Sequence, residues 1–252
     1  MIKVILVGCN GKMGSAITNR IAISDGIEVV AGVDKYLGIS RDYPVFESID
    51  NVNVEADVII DFSNPEVNEE VVKYAIEKSL GIVVGTTGLS DQQIENINVA
   101  SKKTAVFFTF NMSIGINLVL ELSKKAASVL GGDFDIEIIE QHHNQKLDAP
   151  SGTAFMLANA INETLDNTMQ FTYDRHSTRA KRSKNEIGIH SIRGGNIVGE
   201  HEVIFAGTDE VITLSHSARS KEVFATGAVN AAKFLSGKPY GMYTMKELIE
   251  EE

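Results

Sequence analysis

The segment EQHHNQKLDAPSGTA, residues 140–154, concentrates side chains that can carry protons. His142 and His143 are adjacent, and Lys146 follows within the same segment. Imidazole and ammonium groups are common general acids and bases. Because neighbouring residues of an extended chain point to opposite faces, we expect one imidazole to face a pocket. A zinc site is not expected, because no cysteine is nearby and adjacent histidines rarely share one tetrahedral metal.

The end of the same segment predicts a helix N-terminus. Ser151 is the expected N-cap, and Gly152 and Thr153 would begin the helix. The amides at such a terminus have no intrahelical partners and attract anions. We expect them to hold one carboxylate of a small dicarboxylate, while Lys146 and His143 hold the other or supply a proton. The alternative is an ordinary capped helix.

A glycine-rich loop near the N-terminus could bind a dinucleotide. VGCNGKMG places Gly8, Gly11 and Gly14 between a predicted strand and a predicted helix. Glycines permit a tight turn and the close approach of a pyrophosphate, and the helix terminus favours its negative charge. The next predicted strand ends at Asp34, twenty residues after Gly14, where a carboxylate could bind ribose hydroxyls. This context favours a dinucleotide site over a turn that serves packing alone.

The residues near Asp34 leave the choice between NADH and NADPH open. Asp34 would repel a 2′-phosphate, which favours NADH. Lys35 and Lys12 could offset that repulsion, unless both lysines are simply solvated surface residues.

Two later motifs end predicted strands and could reach the nicotinamide. GTTG, residues 85–88, would present Thr86 and Thr87, and FTFNMS, residues 108–113, ends the next strand. Ligands of doubly wound sheets bind at the carboxyl ends of the strands. Each motif alone could also be a plain turn between a strand and a helix.

The first half of the chain alternates short apolar runs with helical stretches. The apolar runs are IKVILVG, IEVVAGVD, ADVIIDFS, GIVVGTT and AVFFTF. One helical stretch begins at Pro65, a residue suited to a first helical turn. Such alternation is typical of right-handed βαβ units and a doubly wound parallel sheet.

Beyond about residue 113 the pattern changes. SIGINLVLELSKKAASVL predicts a long amphipathic helix, DFDIEIIEQHH alternates at period two, and a helix follows from about Ser151 to Leu165. GIHSIR, VGEHEVIFAG and EVITLSHSA predict three strands, and the short turns between them favour antiparallel connections. A final helix, SKEVFATGAVNAAKFLSG, ends at Gly237 and Pro239.

These patterns predict an α/β fold with two domains. Residues 1–112 and 219–252 would form a dinucleotide-binding domain around the doubly wound parallel sheet. Residues 113–218 would form an inserted α+β domain that contains a mixed sheet and binds substrate. Because the two sites lie on two domains, we expect domain closure during the reaction.

The composition narrows the class of protein. The 252 residues carry a net charge of −11, which disfavours binding to nucleic acid or to anionic membranes. Cys9 is the only cysteine, so an intrachain disulfide is not possible. The sequence contains no membrane-length apolar run and no signal-peptide cleavage site, and we expect a cytoplasmic protein. The basic segment RHSTRAKRSK, residues 175–184, is either a solvated loop or a loop that attracts an anionic ligand.

Six blocks of the sequence together resemble the dihydrodipicolinate reductase family. They are GCNGKMG, GTTG, NMSIGIN, EIIEQHHNQKLDAPSGTA, IRGGNIVGEHEVIFAG and FATGAVNAAKFLSGKPYGMYTM. The resemblance runs through nearly the whole chain, and the HHNQKLDAPSGTA block is its most specific part. It implies a Rossmann domain completed by the C-terminal helix, a central domain for substrate binding and tetramerisation, and a homotetramer. It also implies that NADH or NADPH reduces 4-hydroxy-tetrahydrodipicolinate in the diaminopimelate route to lysine.

The resemblance also implies a role for each matching residue. His142 would be the proton donor and acceptor, and Lys146 the proton donor. The substrate would be bound by His143, Ser151, Gly152 and Thr153. Cofactor contacts would fall on Gly8, Cys9, Asn10, Gly11, Lys12, Met13, Asp34, Lys35, Gly85, Thr86, Thr87, Thr109, Phe110, Asn111 and Met112. The family usually has arginine where Lys12 stands, and lysine cannot make the same bidentate phosphate contact.

The implied reaction matches these residue types. Loss of water from the substrate gives an imine conjugated with a carbon–carbon double bond, and hydride addition then gives an enamine that must gain a proton. A positive charge near the ring and a general acid are needed, and Lys146 and His142 can supply them. Two alternatives remain: a homoserine or aspartate dehydrogenase on a similar scaffold, and a nucleotide-sensing protein that kept the fold without catalysis.

Overall fold

The computed structural model of the chain describes residues 1–177 and 179–251, and the chain divides into two compact units. Unit 1 comprises Met1–Ile114 and Lys221–Glu252, and unit 2 comprises Gly115–Ser220. Each predicted domain boundary lies two residues earlier in the chain than the corresponding unit boundary.

Twelve strands and seven α-helices make up the described chain. The strands are β1 (Ile2–Val7), β2 (Ile27–Val33), β3 (Val45–Phe46), β4 (Val58–Asp61), β5 (Gly81–Val84), β6 (Ala105–Phe108), β7 (Asp135–His142), β8 (Gln170–Thr172), β9 (Glu186–Arg193), β10 (Gly199–Ala206), β11 (Val211–Ala218) and β12 (Gly241–Tyr243). The helices are α1 (Lys12–Ala22), α2 (Pro65–Lys78), α3 (Asp91–Ala100), α4 (Ile114–Leu130), α5 (Gly152–Thr164), α6 (Glu222–Leu235) and α7 (Met245–Glu251).

The sheet of unit 1 has seven strands in the order β12-β6-β5-β4-β1-β2-β3. Every neighbouring pair in this sheet is parallel. Successive residues of β1 feed two cores, because side chains alternate across a strand: Val4 and Leu6 pack with α1, α6 and α7, and Ile5 and Val7 pack with α2 and α3. Burial on both faces explains the continuous apolar runs in the sequence.

The sheet of unit 2 has five strands in the order β11-β10-β7-β9-β8. β10 pairs antiparallel with both β11 and β7, whereas β9 pairs parallel with β7 and β8, so the sheet is mixed. Helices α4 and α5 contribute Ile116, Val119, Leu157 and Ile161 to the core on one face of this sheet. Together the two sheets confirm the predicted fold class, a Rossmann-type doubly wound parallel sheet with an inserted α+β unit.

The predicted pairing within unit 2 is wrong in one place. β10 and β11 form the expected antiparallel hairpin, but β9 and β10 are not neighbours because β7 lies between them. The turn after β9 therefore crosses the end of β7 instead of closing a hairpin. A short connection in the sequence cannot show this, because a strand from earlier in the chain can occupy the space between two consecutive strands.

Four short elements have no counterpart among the predictions. The strands β3, β8 and β12 have two or three residues each, and α7 has seven. Runs this short carry no readable period, and β3, β8 and β12 form only because a longer strand at the sheet edge offers hydrogen-bonding partners. Among the described residues, no helix combines the length and apolar character needed to cross a lipid bilayer.

Candidate active site

The glycine loop of unit 1 is shaped by close backbone contacts. Gly8 follows β1 with a φ of +79°, a conformation that favours glycine, and a Cβ there would lie 2.4 Å from the carbonyl oxygen of Phe62. A Cβ on Gly14 would lie 2.1 Å from the carbonyl oxygen of Gly8. Both glycines are therefore required by the turn itself, which brings the start of α1 against the end of β1.

The start of α1 has the properties of an anion site. Gly11 is the N-cap, and no side chain among the described residues caps this terminus. The amides of the first turn are therefore available to an anion, and the helix dipole favours negative charge there. The loop fits a pyrophosphate, since two of its positions exclude a Cβ and its helix terminus carries no capping side chain.

Asp34, at the end of β2, lies beside this loop. Its carboxylate accepts hydrogen bonds from the backbone amides of Asn10 and Tyr36, each at 2.9 Å. Gly8, Gly11, Asp34 and Lys35 all line one cavity of about 600 Å³. Four of the predicted cofactor residues are thus gathered around a cleft large enough for part of a dinucleotide.

The lining of this first cavity is acidic. Glu47 and Glu70 line it together with Asp34, and Lys35 is the only lysine or arginine among its described lining residues. The Lys35 ammonium lies 3.6 Å from a carboxylate oxygen of Glu66, and both side chains are well exposed.

A second cavity, of about 380 Å³, gathers the later motifs. The predicted residues that line it are Met13, Gly85, Thr87, Thr109, Phe110, Asn111 and Met112. Phe62 and Ser63 line both cavities, so the two cavities adjoin. Neither residue is among those predicted, although both come directly after the strand that ends at Asp61, where ligands of doubly wound sheets bind.

Four predicted cofactor residues line neither cavity. They are Cys9, Asn10, Lys12 and Thr86. Burial, with the nearby charge of Asp34, raises the pKa of the Cys9 thiol to about 11, so the thiol stays protonated. Thr86 is also buried, and its hydroxyl oxygen accepts from the backbone amide of Ser63 at 3.2 Å.

Arg41, which is not among the predicted cofactor residues, forms hydrogen bonds to the glycine loop and to the start of α1. Its guanidinium donates to the carbonyl oxygen of Cys9 at 2.6 Å, to Oδ1 of Asn10 at 3.0 Å and to Oγ of Ser15 at 2.8 Å. The Asn10 side chain in turn donates to the carbonyl oxygen of Tyr36 at 2.6 Å. These bonds tie the loop to the connection between β2 and β3.

In unit 2, one face of β7 carries His142, the predicted proton donor and acceptor. Ile136, Ile138, Glu140 and His142 share this face because side chains repeat every second residue in a strand. The two isoleucines enter the core, and the side chain of Glu140 is fully buried at the end of the row. The side chain of His142 is 12% exposed, so the row runs from the core to the surface at the proposed site.

The buried carboxylate of Glu140 has several hydrogen-bond partners. Arg193 on β9 donates to both of its oxygens, at 2.8 and 2.7 Å, and Nδ1 of His142 lies 2.6 Å from Oε2. The backbone amide of Ser151 donates to Oε1 at 3.2 Å. Burial alone would raise the pKa of Glu140, but the hydrogen bonds from Arg193, Ser191 and His142 outweigh it and hold the pKa at about 2. The carboxylate is therefore ionised at neutral pH.

The start of α5 matches the predicted helix terminus. Ser151 is the N-cap, and its Oγ accepts from the amide of Ala154 at 3.2 Å. The same oxygen lies 3.1 Å from Nε2 of His201, and burial together with His142 lowers the pKa of His201 to about 4. A Cβ on Gly152 would meet no described atom within 4 Å, so the backbone is open to a ligand there.

Lys146 lies in the loop between β7 and α5. Its ammonium lies 2.8 Å from a carboxylate oxygen of Asp148, and this hydrogen bond lowers the pKa of Asp148. The carbonyl oxygen of Asp148 accepts from Arg193 at 2.6 Å. The backbone amide of Lys146 also donates to the carbonyl oxygen of His143 at 3.1 Å, which closes a turn.

These contacts join most of the predicted catalytic and substrate residues. Glu140 links His142 to the N-cap Ser151, and Arg193 links Glu140 to the Lys146–Asp148 pair. Glu140, Arg193 and His201 have no predicted role, although each lies within one of the sequence blocks that resemble the family. Across residues 1–177 and 179–251, no group of three or more His, Cys, Asp or Glu side chains is arranged to hold a metal ion.

The basic segment 175–184 is tied to the sheet of unit 2. Arg175 donates to Glu186 and, at 2.7 Å, to Glu137, while Arg182 donates to Glu137 and to Asp135, each at 2.9 Å. Thr178, within this segment, lies outside the described residues. Two arginines of the segment, Arg175 and Arg182, thus form ion pairs with carboxylates of the unit 2 sheet. Their positive charge is largely neutralised within the fold.

Comparison with known proteins identifies relatives of the whole chain. Residues 2–112 match the family model described as "Dihydrodipicolinate reductase, N-terminus", and residues 115–249 match "Dihydrodipicolinate reductase, C-terminus". The 4-hydroxy-tetrahydrodipicolinate reductase of Caldanaerobacter subterraneus is 51% identical, with 100% of this chain and 99% of the relative covered. The enzyme of the same name from Clostridium novyi is 48% identical, with all of both chains covered.

Solved structures agree with the sequence comparison. A dipicolinate-bound dihydrodipicolinate reductase from a Paenisporosarcina species matches with a TM-score of 0.81 and 26% identity, covering 97% of each chain. Aspartate dehydrogenase from Thermotoga maritima matches with a TM-score of 0.53 and 11% identity, which shows a shared fold alone. Since the two family models together span nearly all of the residues, the chain belongs to the dihydrodipicolinate reductase family.

Proposed function

We propose that this protein reduces 4-hydroxy-tetrahydrodipicolinate to tetrahydrodipicolinate, with loss of water and with a hydride from NADH or NADPH, in the diaminopimelate route to lysine. Family membership over both units supports this reaction. The observation that carries the proposal is the loop between β7 and α5, where Glu140 joins His142 to an open helix N-terminus. An imidazole, an ammonium and an anion-binding terminus in one loop suit a dicarboxylate that must also receive a proton.

In this proposal the residues of unit 2 bind and protonate the substrate. The amides of Gly152 and Thr153, beyond the N-cap Ser151, hold one carboxylate, and His143 contacts the substrate beside them. Lys146 exchanges the carboxylate of Asp148 for the substrate, places its positive charge near the ring and donates a proton. His142 donates and accepts protons. The Paenisporosarcina relative binds dipicolinate, which also carries two carboxylates, and this supports a dicarboxylate substrate here.

The residues of unit 1 hold the nicotinamide nucleotide, which supplies the hydride when bound. The glycine loop and the start of α1 bind the pyrophosphate, and Asp34 binds the adenosine ribose. The motifs that line the second cavity, from Gly85 to Met112, hold the nicotinamide end.

The charges around the first cavity favour NADH over NADPH. A 2′-phosphate adds nearly two negative charges, and it would lie near Asp34 in a cavity that Glu47 and Glu70 also line. Lys35 is the one cation among the described lining residues, and Glu66 competes for it. We expect NADH to bind about tenfold more tightly than NADPH, which corresponds to a difference of about 1.4 kcal/mol.

Oxidation of NADH and NADPH, followed side by side with freshly generated 4-hydroxy-tetrahydrodipicolinate, tests the reaction. We expect turnover with this substrate and none with aspartate semialdehyde or with oxaloacetate and ammonia. Turnover only with one of the latter would favour a homoserine or aspartate dehydrogenase, and nucleotide binding without any turnover would favour a sensor.

Calorimetric titration of each nucleotide in the absence of substrate tests the cofactor preference. The double variant Glu47→Gln/Glu70→Gln should bind NADPH several-fold more tightly than the wild type and NADH about equally, because only the added phosphate meets the removed charges. Glu77→Gln is the matched control, since Glu77 is exposed on α2 and does not line the cavity. Equal affinities for both nucleotides in the wild type would contradict the preference.

We also propose that the protein is a homotetramer of the cytoplasm that assembles through unit 2. The face of the unit 2 sheet away from α4 and α5 presents the apolar side chains of Ile192 and Val211, which are 47% and 62% exposed. Burying such a face against another copy would remove apolar surface from water. Light scattering coupled to size exclusion measures the mass directly, and a monomer would contradict the proposal.

A further inference from the structure

The buried pair of Glu140 and Arg193 determines which atom of His142 is available for proton exchange. The Glu140 carboxylate is ionised at neutral pH, so it can only accept hydrogen bonds. Because Nδ1 of His142 lies 2.6 Å from this carboxylate, Nδ1 must carry the hydrogen. In the neutral ring Nε2 is then the bare acceptor, and in the protonated ring Nε2–H is the donor that Glu140 does not occupy.

Nε2 of His142 lies beside a glycine. A Cβ built on Gly199, the first residue of β10, would lie 3.1 Å from this nitrogen. That separation is closer than a carbon and a ring nitrogen normally approach, so a methyl group at this position would crowd Nε2. Gly199 thus keeps one side of the reactive nitrogen clear.

The same buried pair also holds the other two functional parts of the loop. Glu140 accepts from the backbone amide of Ser151, immediately before the first turn of α5. Arg193 donates to the carbonyl oxygen of Asp148, whose carboxylate pairs with Lys146. One carboxylate and one guanidinium on neighbouring strands therefore fix the proton carrier, the anion-binding terminus and the segment with the lysine.

We propose that Glu140, held by Arg193, is a positioning residue that fixes the Nδ1–H tautomer of His142, and that Gly199 keeps Nε2 open to the substrate. This inference rests on the proposed function of His142 as the proton donor and acceptor. Glu140 itself touches no substrate in this arrangement, because its side chain is fully buried.

The tautomer can be read without turnover. In ¹⁵N-labelled full-length protein saturated with NADH, long-range ¹H–¹⁵N spectra distinguish the two nitrogens of each of the six histidines, and loss of one set of signals in His142→Gln assigns them. In mildly alkaline buffer we expect His142 to show the Nδ1–H tautomer. An Nε2–H tautomer would overturn the inference, whatever the activity of the protein.

Two variants test the consequence for catalysis. Glu140→Gln keeps the size of the side chain and one acceptor oxygen but removes the charge, and kcat should fall by about 100-fold with NADH affinity unchanged. Gly199→Ala leaves the Glu140–Arg193 pair in place and should lower kcat by about tenfold through crowding at Nε2, with the tautomer unchanged. If Glu140→Gln does not fold, Gly199→Ala and the tautomer of the wild type still decide the question.

The control variant is Glu186→Gln, which removes a carboxylate that pairs with Arg175 and Arg182 in the same sheet but does not contact the loop. Its kcat should stay within about twofold of the wild type, because none of the hydrogen bonds found for Glu186 among the described residues reaches Glu140, Arg193 or His142. If both Glu140→Gln and Gly199→Ala kept the kcat of the wild type, this inference would be contradicted and the proposed function would not be affected. A wild-type protein that binds NADH without reducing the substrate would sink the proposed function instead.

Discussion

The two candidate sites, the nucleotide cleft of unit 1 and the loop between β7 and α5 of unit 2, would bind anions by different means. The nucleotide cleft of unit 1 depends on backbone shape, since Gly8 and Gly14 bring a helix terminus close to the end of β1. The loop of unit 2 depends on buried charge, since Glu140 is ionised, fully buried and hydrogen bonded to Arg193, His142 and the amide of Ser151. The first arrangement is governed by steric contact, and the second by electrostatics in a water-poor setting.

This difference predicts which substitutions each region can tolerate. In the cleft, added volume at a glycine should do more damage than a changed charge at the rim, because the rim is exposed to water and screened. In the loop, removal of a charge should do more damage than added volume at an open position, because a buried charge without its partner is costly.

The largest expected effect on kcat comes from substitution of Lys146 in the loop. Lys146→Ala should lower kcat by about 100- to 10,000-fold, because it removes both a proton donor and a positive charge near the developing negative charge. NADH affinity should stay nearly unchanged, since the proposed nucleotide residues all belong to unit 1. Steady-state kinetics and a fluorescence titration with NADH measure the two effects, and Lys125→Ala, on the exposed side of α4, is the control. Near-normal turnover of Lys146→Ala would remove the proposed role.

A pair of glycine variants tests the comparison directly. Gly14→Ala should destabilise the fold by about 3 kcal/mol or more and weaken NADH binding, because the added Cβ meets backbone atoms that cannot move easily. Gly152→Ala should leave stability and NADH binding nearly unchanged and raise the KM for substrate by about tenfold, because its Cβ meets only the space proposed for a carboxylate. Thermal melts, nucleotide titration and kinetics separate the two. If Gly152→Ala proved as destabilising as Gly14→Ala, the distinction between steric and open glycines would fail.

The smallest expected effect concerns pH and His201. Its pKa is lowered from 6.5 to about 4 in the folded protein, so the unfolded chain binds a proton more readily between these values. The neutral, buried His201 therefore contributes its full stabilisation of the folded state above about pH 6.5, and this contribution is lost as the pH falls towards 4. Between pH 8 and pH 5 this linkage should cost the wild type about 2 kcal/mol of unfolding free energy.

The variant His201→Gln should lose less stability over that range, since glutamine does not titrate and can still hydrogen bond with Ser151. Denaturant unfolding of both proteins at the two pH values measures the difference. The carboxylates with lowered pKa values, such as Glu137 and Glu140, change the free energy of unfolding mainly below about pH 4.5. They therefore contribute little to its change between pH 8 and pH 5. Parallel pH profiles for the wild type and the variant would show that His201 is not the titrating group.

Local pattern was sufficient for much of the fold. The alternation of apolar runs and helices predicted the doubly wound sheet, Pro65 marked the first turn of α2, and Ser151 was identified as a helix cap. Each of these features depends on residues within one turn or one strand of each other. The same locality explains why the family resemblance was readable from contiguous blocks.

The pairing of distant segments could not be predicted in this way. β7 lies between β9 and β10, Arg41 fastens a glycine loop more than thirty residues earlier, and Arg193 meets Glu140 across a separation of 53 residues. Glu140 stands two residues before His142, so the shared strand face was visible in the sequence, but its burial and its partner were not.

The types of the reactive groups, the helices and strands that carry them and the family of the chain could all be recognised from the amino-acid sequence. The folded structure was needed to see that Asp34 lies in an acidic cleft, that two arginines of the basic segment pair with carboxylates of the unit 2 sheet, and that one buried carboxylate contacts His142. The reason is physical: a side chain's charge and hydrogen-bonding capacity are fixed by its type. Whether that capacity is available to a ligand depends on neighbours that folding brings from elsewhere in the chain.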